Sequence, residues 1–227
     1  MRCHPPAHLP AWAILATLAA CGSARTQSPG APPPTGRPDR LSSQEQDPTG
    51  SALVPPGYGS LRQDDVAMRL TLRAAIQVRV LPLDETVTRL LSPDSYRAMH
   101  DLREGTRVRA AAIARRYNLR RPTLFYVSFY GLQPDARFSP MELVITSSGR
   151  DFRPVDIIPL TAGFGEQRIG QRETQSAVFV YEDGIDVLQP MTVTLEGTHD
   201  ASWEATLPTL ERERSLVRSR AGQAGRP

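Results

Sequence analysis

The chain has 227 residues and a formal net charge of +3, which results from 27 basic and 24 acidic side chains. All 27 basic residues are arginine, because the sequence contains no lysine. The absence of lysine excludes Schiff-base enzymes, Ser-x-x-Lys acylating enzymes and P-loop nucleotide-binding proteins, since each of these classes needs that amine.

An apolar run from Ala11 to Ala20 precedes Cys21 near the amino terminus. The run is shorter than the roughly 20 apolar residues that span a bilayer, and its length is typical of a signal peptide. Ala19 and Ala20 are small enough for a peptidase to bind the extended backbone, and the thiol of Cys21 can be alkylated. The segment Leu18-Ala19-Ala20-Cys21 resembles the lipobox of bacterial lipoproteins.

The resemblance implies that residues 1 to 20 are a signal peptide and that Cys21 carries a lipid anchor. It implies a protein of the cell envelope, attached to a membrane through its N-terminal lipid. In diderm bacteria an Asp after the cysteine commonly retains a lipoprotein at the inner membrane. Gly22 at this position therefore implies the outer membrane, on the side that faces the periplasm. The alternative is an ordinary secretory signal that ends near a cysteine by chance.

Residues 21 to 60 are rich in proline, glycine and serine and contain few apolar side chains. Such a segment cannot bury enough surface to offset its conformational entropy. The composition predicts an extended, mobile tether that reaches roughly 35 Å on average. A lipid-anchored domain on this tether would be held away from the membrane, within reach of neighbouring molecules.

The folded domain is predicted at residues 61 to 220. Apolar and polar residues alternate from Met68 to Val80, which indicates a strand with one buried and one exposed face. Three arginines on the exposed face are typical of an edge strand, where charge discourages pairing with other chains. The sequence therefore predicts one long first strand that ends before Pro82.

A helix is predicted at about residues 92 to 118, inserted after the first strand. Ser92 and Pro93 suit its N-cap and first turn, and Asp94 suits the positive end of the helix dipole. Six side chains of the helix are predicted to face the core. They are Tyr96, Met99, Leu102, Ala110, Ile113 and Tyr117.

The region from residue 92 to residue 121 is strongly basic, because it carries eight arginines and three acidic residues. One interpretation is a surface for an anionic partner, such as lipid headgroups, lipopolysaccharide phosphates or an acidic protein. The other is the ordinary solvated face of a surface helix. Nucleic acid is not expected, since the cell envelope offers none. The positions predicted to meet a partner are Arg109, Arg116 and Arg120.

Short strands are predicted after the helix. Residues 123 to 130 are apolar on both faces, which is typical of a central strand that is covered on both sides. The further predicted strands cover residues 141 to 146 and 152 to 160, and a closing hairpin joins residues 175 to 181 with residues 190 to 195 across Asp183-Gly184. Turns at this spacing are typical of a two-sheet sandwich.

The sequence thus predicts a mainly β fold, an immunoglobulin-like two-sheet sandwich with one inserted helix. A short C-terminal helix is predicted from Leu207, with Leu207, Leu210 and Val217 on its inner side. Residues 221 to 227 are predicted to be a disordered tail.

The connection from Thr161 to Thr174 is long for a sandwich and contains one aromatic residue between two glycines. Phe164, with Arg168 and Arg172 nearby, is predicted either to present a contact surface for a partner or to fold back onto the core.

Few residues are available for catalysis. Cys3 lies in the signal peptide, so the domain has no disulfide and no thiolate nucleophile, and His100 and His199 are its two histidines. No metal-binding His motif and no Gly-x-Ser-x-Gly sequence is present. Residues 181 to 186 lack the alternating oxygen ligands of a calcium loop and are better explained as a turn. No catalytic residue, metal or cofactor is predicted.

Three functions are consistent with this sequence. The first is a membrane-anchored envelope lipoprotein whose domain is a non-catalytic binding or accessory module. The second is a periplasmic hydrolase or carbohydrate-active enzyme with paired carboxylates, drawn from Asp151, Asp156, Glu166 and Glu182. The third is a structural link between membrane and cell wall. The sequence favours the first, and the second requires two of these carboxylates to converge in a cleft.

Overall fold

A computed structural model of the chain describes residues 57 to 224. The predicted signal peptide, Cys21 and most of the predicted tether lie outside the described residues, as do residues 225 to 227. Within the described residues, no helix has both the length and the apolar character needed to cross a membrane.

Eleven strands and three α-helices form between residues 57 and 224. The strands are β1 (Met68–Leu72), β2 (Ile76–Pro82), β3 (Thr123–Gly131), β4 (Ala136–Arg137), β5 (Val144–Ser147), β6 (Arg150–Phe152), β7 (Pro154–Pro159), β8 (Arg168–Ile169), β9 (Thr174–Tyr181), β10 (Met191–Leu195) and β11 (Thr198–Asp200). The helices are α1 (Glu85–Thr88), α2 (Pro93–Arg116) and α3 (Trp203–Ala224), and 3₁₀ turns cover Gln63–Val66, Pro140–Glu142 and Ala162–Glu166.

The strands form two main antiparallel sheets and a small third one. The five-stranded sheet has the order β1-β2-β3-β9-β7, the four-stranded sheet β11-β10-β5-β6, and the two-stranded sheet β4-β8. The fold is therefore mainly β and consistent with a sandwich, as the sequence predicts. The immunoglobulin-like arrangement of its strands stays a prediction.

β3 and β9 lie at the centre of the five-stranded sheet; β9 is buried on both faces, whereas the second face of β3 is partly covered and ends at the exposed Tyr130. Phe125, Val127 and Phe129 alternate along one face of β3 and are fully buried. On that side, the Tyr181 hydroxyl at the end of β9 donates to the carbonyl of Leu143, next to the second sheet. The opposite face is covered by α2, which contacts β7 and β9. The continuous apolar sequence of these strands follows from this double coverage.

The predicted first strand is a hairpin, so the prediction of one long strand is wrong. β1 pairs with β2 in a register that places Leu72 opposite Ile76. Arg73 and Ala74 turn the chain with positive φ angles of 47° and 54°. Because Leu72 and Ile76 are an even number of residues apart, the apolar and polar alternation continues through the turn without interruption. β1 is an edge strand, but it carries one of the three arginines, Arg69, because Arg73 lies in the turn and Arg79 in the interior strand β2.

Three later predictions are also corrected. β9 and β10 belong to different sheets, so the predicted closing hairpin between them does not exist. The predicted strand at residues 152 to 160 is divided, because β6 pairs with β5 while β7 pairs with β9 at the edge of the larger sheet. β7 carries a proline at each end and a register shift between Pro154 and Asp156, which suits an edge position. Pro140–Glu142 is a 3₁₀ turn, and β5 starts at Val144 rather than Met141.

The two long helices resemble the predictions more closely. α2 buries Tyr96, Met99 and Ala110, whereas Tyr117 is 41% exposed beyond the last helical turn and does not face the core. α3 begins four residues before Leu207, because the buried indole of Trp203 donates to the carbonyl of Val187 at 3.0 Å and fixes the first turn. α3 continues to Ala224, so residues 221 to 224 are helical where the sequence predicts disorder.

Residues 57 to 62, which we call the N-terminal strap, pack between α3 and residues 90 to 92. The Leu61 N–H donates to the carbonyl of Leu90, and the Ser92 N–H donates to the carbonyl of Leu61. A Cβ atom added to Gly59 would lie 1.8 Å from the carbonyl oxygen of Leu90, so only glycine fits here. The predicted tether ends at residue 60, but its last four residues belong to the folded domain.

Candidate functional site

A cleft of about 570 Å³ opens beside the C-terminal end of α2. The segments around it are the end of β2 with α1, the loop from α2 to β3, and the loop after β9. Five charged side chains from these segments and from α2 itself line the cleft. They are Asp84, Arg103, Arg120, Arg121 and Asp183. We call this feature the arginine cleft.

The C-terminal cap of α2 positions two of the arginines. Asn118 has a φ angle of 55°, the left-handed conformation that commonly ends a helix. The Leu119 N–H then donates to the carbonyl of Ala114 at 2.8 Å, which closes the last turn. The chain reverses at this cap, so Arg120 and Arg121 lie between the end of α2 and the start of β3.

Asp183 fixes the backbone of both arginines. Its Oδ2 accepts from the Arg120 N–H at 2.9 Å, and its Oδ1 accepts from the Arg121 N–H at 2.8 Å. This contact follows from strand pairing, because Thr123 at the start of β3 lies opposite Tyr181 at the end of β9. The next residue, Gly184, has a φ angle of 118°, which a side chain would strain, and it leaves bare backbone along the cleft.

Arg103 reaches the cleft from the middle of α2. Its Nη1 donates to Glu85 Oε2 at 3.2 Å. The other oxygen, Glu85 Oε1, accepts from Arg89 Nε at 3.0 Å and from the Tyr96 hydroxyl at 3.2 Å. Burial raises the pKa of Tyr96, and the neighbouring Glu85 carboxylate raises it further, so the phenol remains a donor. Glu85 thus holds Arg103 against α1 by accepting from one N–H group of the guanidinium. The other guanidinium N–H groups of Arg103 remain available.

The side chains of Arg120 and Arg121 differ from Arg103 because they are exposed and have no hydrogen-bond or ion-pair partner among residues 57 to 224. The two acids of the cleft are already engaged. Asp183 binds backbone N–H groups, and Asp84 Oδ1 accepts from the Thr86 N–H at 2.8 Å as the cap of α1. Three arginines and two acids give the cleft a formal charge of +1, with guanidinium donors that remain open.

The other two predicted arginines of α2 lie against β7. Arg109 Nη1 is 3.5 Å from the carbonyl of Pro159, and Arg116 Nη1 is 4.0 Å from Asp156 Oδ2. Elsewhere on α2, Arg107 pairs with Glu104 one turn away. Groups of the same domain therefore contact Arg109 and Arg116, and Arg120 is the predicted position that lies in the arginine cleft.

Phe164 is buried, which is the second of the two alternatives that the sequence left open. The side chain is 3% exposed, and its ring centroid lies 5.8 Å from Phe129, 5.7 Å from Phe138 and 6.2 Å from Phe179. These edge-to-face contacts are typical of a stabilising aromatic cluster. The expectation that the Phe164 ring forms part of a contact surface is therefore wrong.

Arg168 and Arg172 do not join the arginine cleft. Arg168 pairs with Asp135 across β4 and β8, and it lines a separate cleft of about 300 Å³ in which Arg73 forms an ion pair with Glu196. Arg172 lies in the turn before β9, where its N–H donates to the carbonyl of Gly131 at 2.8 Å. The structure thus separates the six predicted partner-binding residues into several places.

Three of the four acids of the hydrolase alternative contact separate partners. Asp151 Oδ1 accepts from the Thr146 hydroxyl at 2.7 Å, Asp156 faces Arg116, and Glu182 accepts from Arg150 at 3.3 Å. Glu166 lines the smaller cleft instead. Between residues 57 and 224, no group of three or more His, Cys, Asp or Glu side chains is arranged to hold a metal ion.

Sequence reasoning missed Arg103, Arg121 and Asp183 as members of one site. In the sequence, Arg103 and Arg121 are two of eight arginines in a basic stretch, and the pattern around Asp183 predicts a hairpin turn. Their proximity depends on the register between β3 and β9, which places the residues before Thr123 next to those after Tyr181. The indication in the sequence is that each segment directly adjoins an apolar strand: Arg120 and Arg121 precede β3, and Asp183 follows β9.

Comparison of the chain with protein-family models, curated proteins and solved structures finds no match.

Proposed function

We propose that this protein is a lipid-anchored lipoprotein of the cell envelope whose β domain is a non-catalytic module that binds an anionic partner. The observation that carries the proposal is the pair of open guanidinium groups in the arginine cleft, Arg120 and Arg121, which have no partner among the described residues. Guanidinium groups bind carboxylates and phosphates through paired, charge-assisted hydrogen bonds.

Other arginines of the domain support this choice, because their guanidinium groups already contact carboxylates. Arg150 and Arg168 each contact a carboxylate, which leaves them less able to bind a second one. Arg120 and Arg121 are free of that competition, and Asp183 fixes their backbone without covering their side chains. A concave basic site also attracts anions over a distance and raises their rate of association.

The membrane anchor rests on the lipobox-like segment that ends at Cys21. Each buried CH₂ group contributes about 0.8 kcal/mol, so a lipid with two or more acyl chains gives stable attachment. We expect Cys21→Ala to move the protein from the membrane fraction to the soluble fraction. Ultracentrifugation after a high-salt wash measures this, and Cys3→Ala is the matched control, which should leave the distribution unchanged. Continued sedimentation of the Cys21→Ala protein with membranes would contradict the anchor.

Photo-crosslinking in intact cells tests for the partner. A photoreactive residue at Thr123 lies within the arginine cleft, whereas one at Arg212 on the exposed side of α3 serves as the control. Amine crosslinkers are unsuitable because the chain has no lysine. We expect a recurrent adduct from Thr123 that is missing from Arg212. Equal adducts from both positions, or none from either, would contradict a partner that binds at the cleft.

A further inference from the structure

We propose that the group bound in the arginine cleft is a phosphate monoester. This inference rests on the proposed function, because it names the chemistry of the anionic partner. Three arginines line the cleft from two parts of the chain: Arg103 from the middle of α2, and Arg120 and Arg121 from the loop that follows it.

The number of donors favours phosphate over carboxylate. A phosphate monoester presents three terminal oxygens and a charge close to −2 at neutral pH, whereas a carboxylate presents two oxygens and one charge. The guanidinium N–H groups of Arg120 and Arg121 have no partner among the described residues, and Arg103 donates one of its N–H groups to Glu85. Each guanidinium group carries five N–H donors, so these three side chains offer enough donors for all three oxygens of a phosphate and more than one carboxylate can accept.

The cleft is organised before any ligand binds. Asp183 fixes the backbone of Arg120 and Arg121 through two hydrogen bonds, and Glu85 holds Arg103. Restraining the backbone and one guanidinium group in advance reduces the entropy lost on binding. Both oxygens of Asp183 accept from backbone N–H groups, so this carboxylate competes little for the guanidinium groups of Arg120 and Arg121, whereas Glu85 occupies one N–H group of Arg103.

The concave shape of the cleft favours the binding of a discrete chemical group over contact with a flat charged surface. A volume of about 570 Å³ lies within the roughly 300 to 1,000 Å³ that is typical of small-molecule sites. Pro122 and Leu124 line the cleft beside the arginines and are partly exposed. This leaves room for the carbon skeleton that carries the phosphate, such as a glycerol or sugar unit. The same chemistry occurs in free metabolites and in lipid headgroups.

Thermal unfolding of the purified full-length protein in a neutral detergent, at constant ionic strength, tests the proposal. The probes are glycerol 3-phosphate and, for comparison, succinate. We expect glycerol 3-phosphate to raise the Tm in a saturable way and succinate to raise it much less. Arg120→Gln with Arg121→Gln should weaken glycerol 3-phosphate binding at least about tenfold, since two charged hydrogen-bonding groups are lost.

The matched control is Arg212→Gln with Arg218→Gln, which removes the same charge from exposed arginines of α3. We expect this control to respond to glycerol 3-phosphate as the unaltered protein does. Equal weakening in both double variants would mean that the effect is general charge screening, and it would overturn the phosphate site.

A second arm distinguishes the two sources of phosphate. Detergent micelles that contain phosphatidic acid are compared with glycerol 3-phosphate at equal phosphate concentration. A larger Tm increase with phosphatidic acid supports a lipid headgroup, and a larger increase with glycerol 3-phosphate supports a soluble ligand; both support the phosphate chemistry.

Failure of this inference can be told from failure of the proposed function. Succinate binding that equals or exceeds glycerol 3-phosphate binding would overturn the phosphate assignment, but it would leave an anionic partner in place. No Tm increase with any probe would also overturn the phosphate assignment, while an adduct from Thr123 in cells would still support a partner at the cleft.

Discussion

The arginine cleft and the junction between the N-terminal strap and α3 use the same residue type in opposite ways. At the junction, Arg220 Nη1 donates to Glu213 Oε1 and to the carbonyl of Tyr58, both at 2.9 Å. Glu213 Oε1 also accepts from the N–H and the hydroxyl of Ser60, at 2.9 and 3.0 Å. At the cleft, the guanidinium groups of Arg120 and Arg121 have no partner among the described residues.

The difference separates a charge that stabilises the fold from charges that are available to bind a partner. Glu213 is 5% exposed, so its carboxylate needs the donors that surround it, and removing them would leave a buried charge without compensation. Arg120 and Arg121 are solvated and stabilise nothing that the described structure shows. Substitutions at the junction should therefore lower stability, and substitutions at the cleft should lower binding alone.

The largest loss of stability is expected from Gly59→Ala in the strap. The added methyl group would lie 1.8 Å from the backbone oxygen of Leu90, and the displacement of packed backbone should lower the free energy of unfolding by about 3 kcal/mol. Urea denaturation measures the change. Gly105→Ala is the matched control, because nothing lies within 4 Å of the added methyl group and alanine favours the helix. Equal stability of the two variants would show that the strap does not pack as described.

A smaller loss is expected from Glu213→Ala. The change removes the acceptor for Ser60 and Arg220, and it should lower the free energy of unfolding by about 2 kcal/mol. Glu213→Gln keeps an oxygen for Ser60 and should cost about half as much. Glu211→Ala, which removes an exposed carboxylate from the same helix, should cost less than about 0.5 kcal/mol. A Glu211→Ala effect as large as that of Glu213→Ala would contradict a special role for the junction.

The smallest change in stability is expected at the cleft. Arg120→Gln with Arg121→Gln should alter the free energy of unfolding by no more than about 0.5 kcal/mol, since both side chains are exposed and unpaired among the described residues. The same urea experiment measures this value. A loss as large as that of Glu213→Ala would mean that these arginines stabilise the fold, and the contrast between the two regions would fail.

Local features of the fold could be predicted from the sequence, whereas long-range pairing could not. Ser92-Pro93 marks the start of α2 because its signal is confined to one turn, and the apolar run of β3 indicates its central position. The junction joins Ser60 to Glu213, 153 residues apart, and no local pattern specifies that contact. The sequence does not reveal the hairpin at Arg73, because the paired residues Leu72 and Ile76 are an even number of positions apart and the alternation of apolar residues continues through the turn.

The candidate site shows the same limit. The basic character of residues 92 to 121 can be read from composition, but the arginines that remain open cannot, since pairing depends on which carboxylates the fold brings near. Composition provides equal grounds for predicting Arg109, Arg116 and Arg120 as partner-binding positions. In the fold, β7 brings the Pro159 carbonyl to Arg109 and the Asp156 carboxylate to Arg116. The register of β3 against β9 supplied Asp183 to the backbone of the third.

The central claim is that the open arginines of the cleft bind the partner. The most direct test is the yield of the photo-crosslinked adduct from Thr123 in intact cells, compared between the unaltered chain, Arg120→Gln with Arg121→Gln, and Arg212→Gln with Arg218→Gln. We predict that the adduct is lost in the first double variant and retained in the second. An adduct of equal yield in all three proteins would contradict the claim.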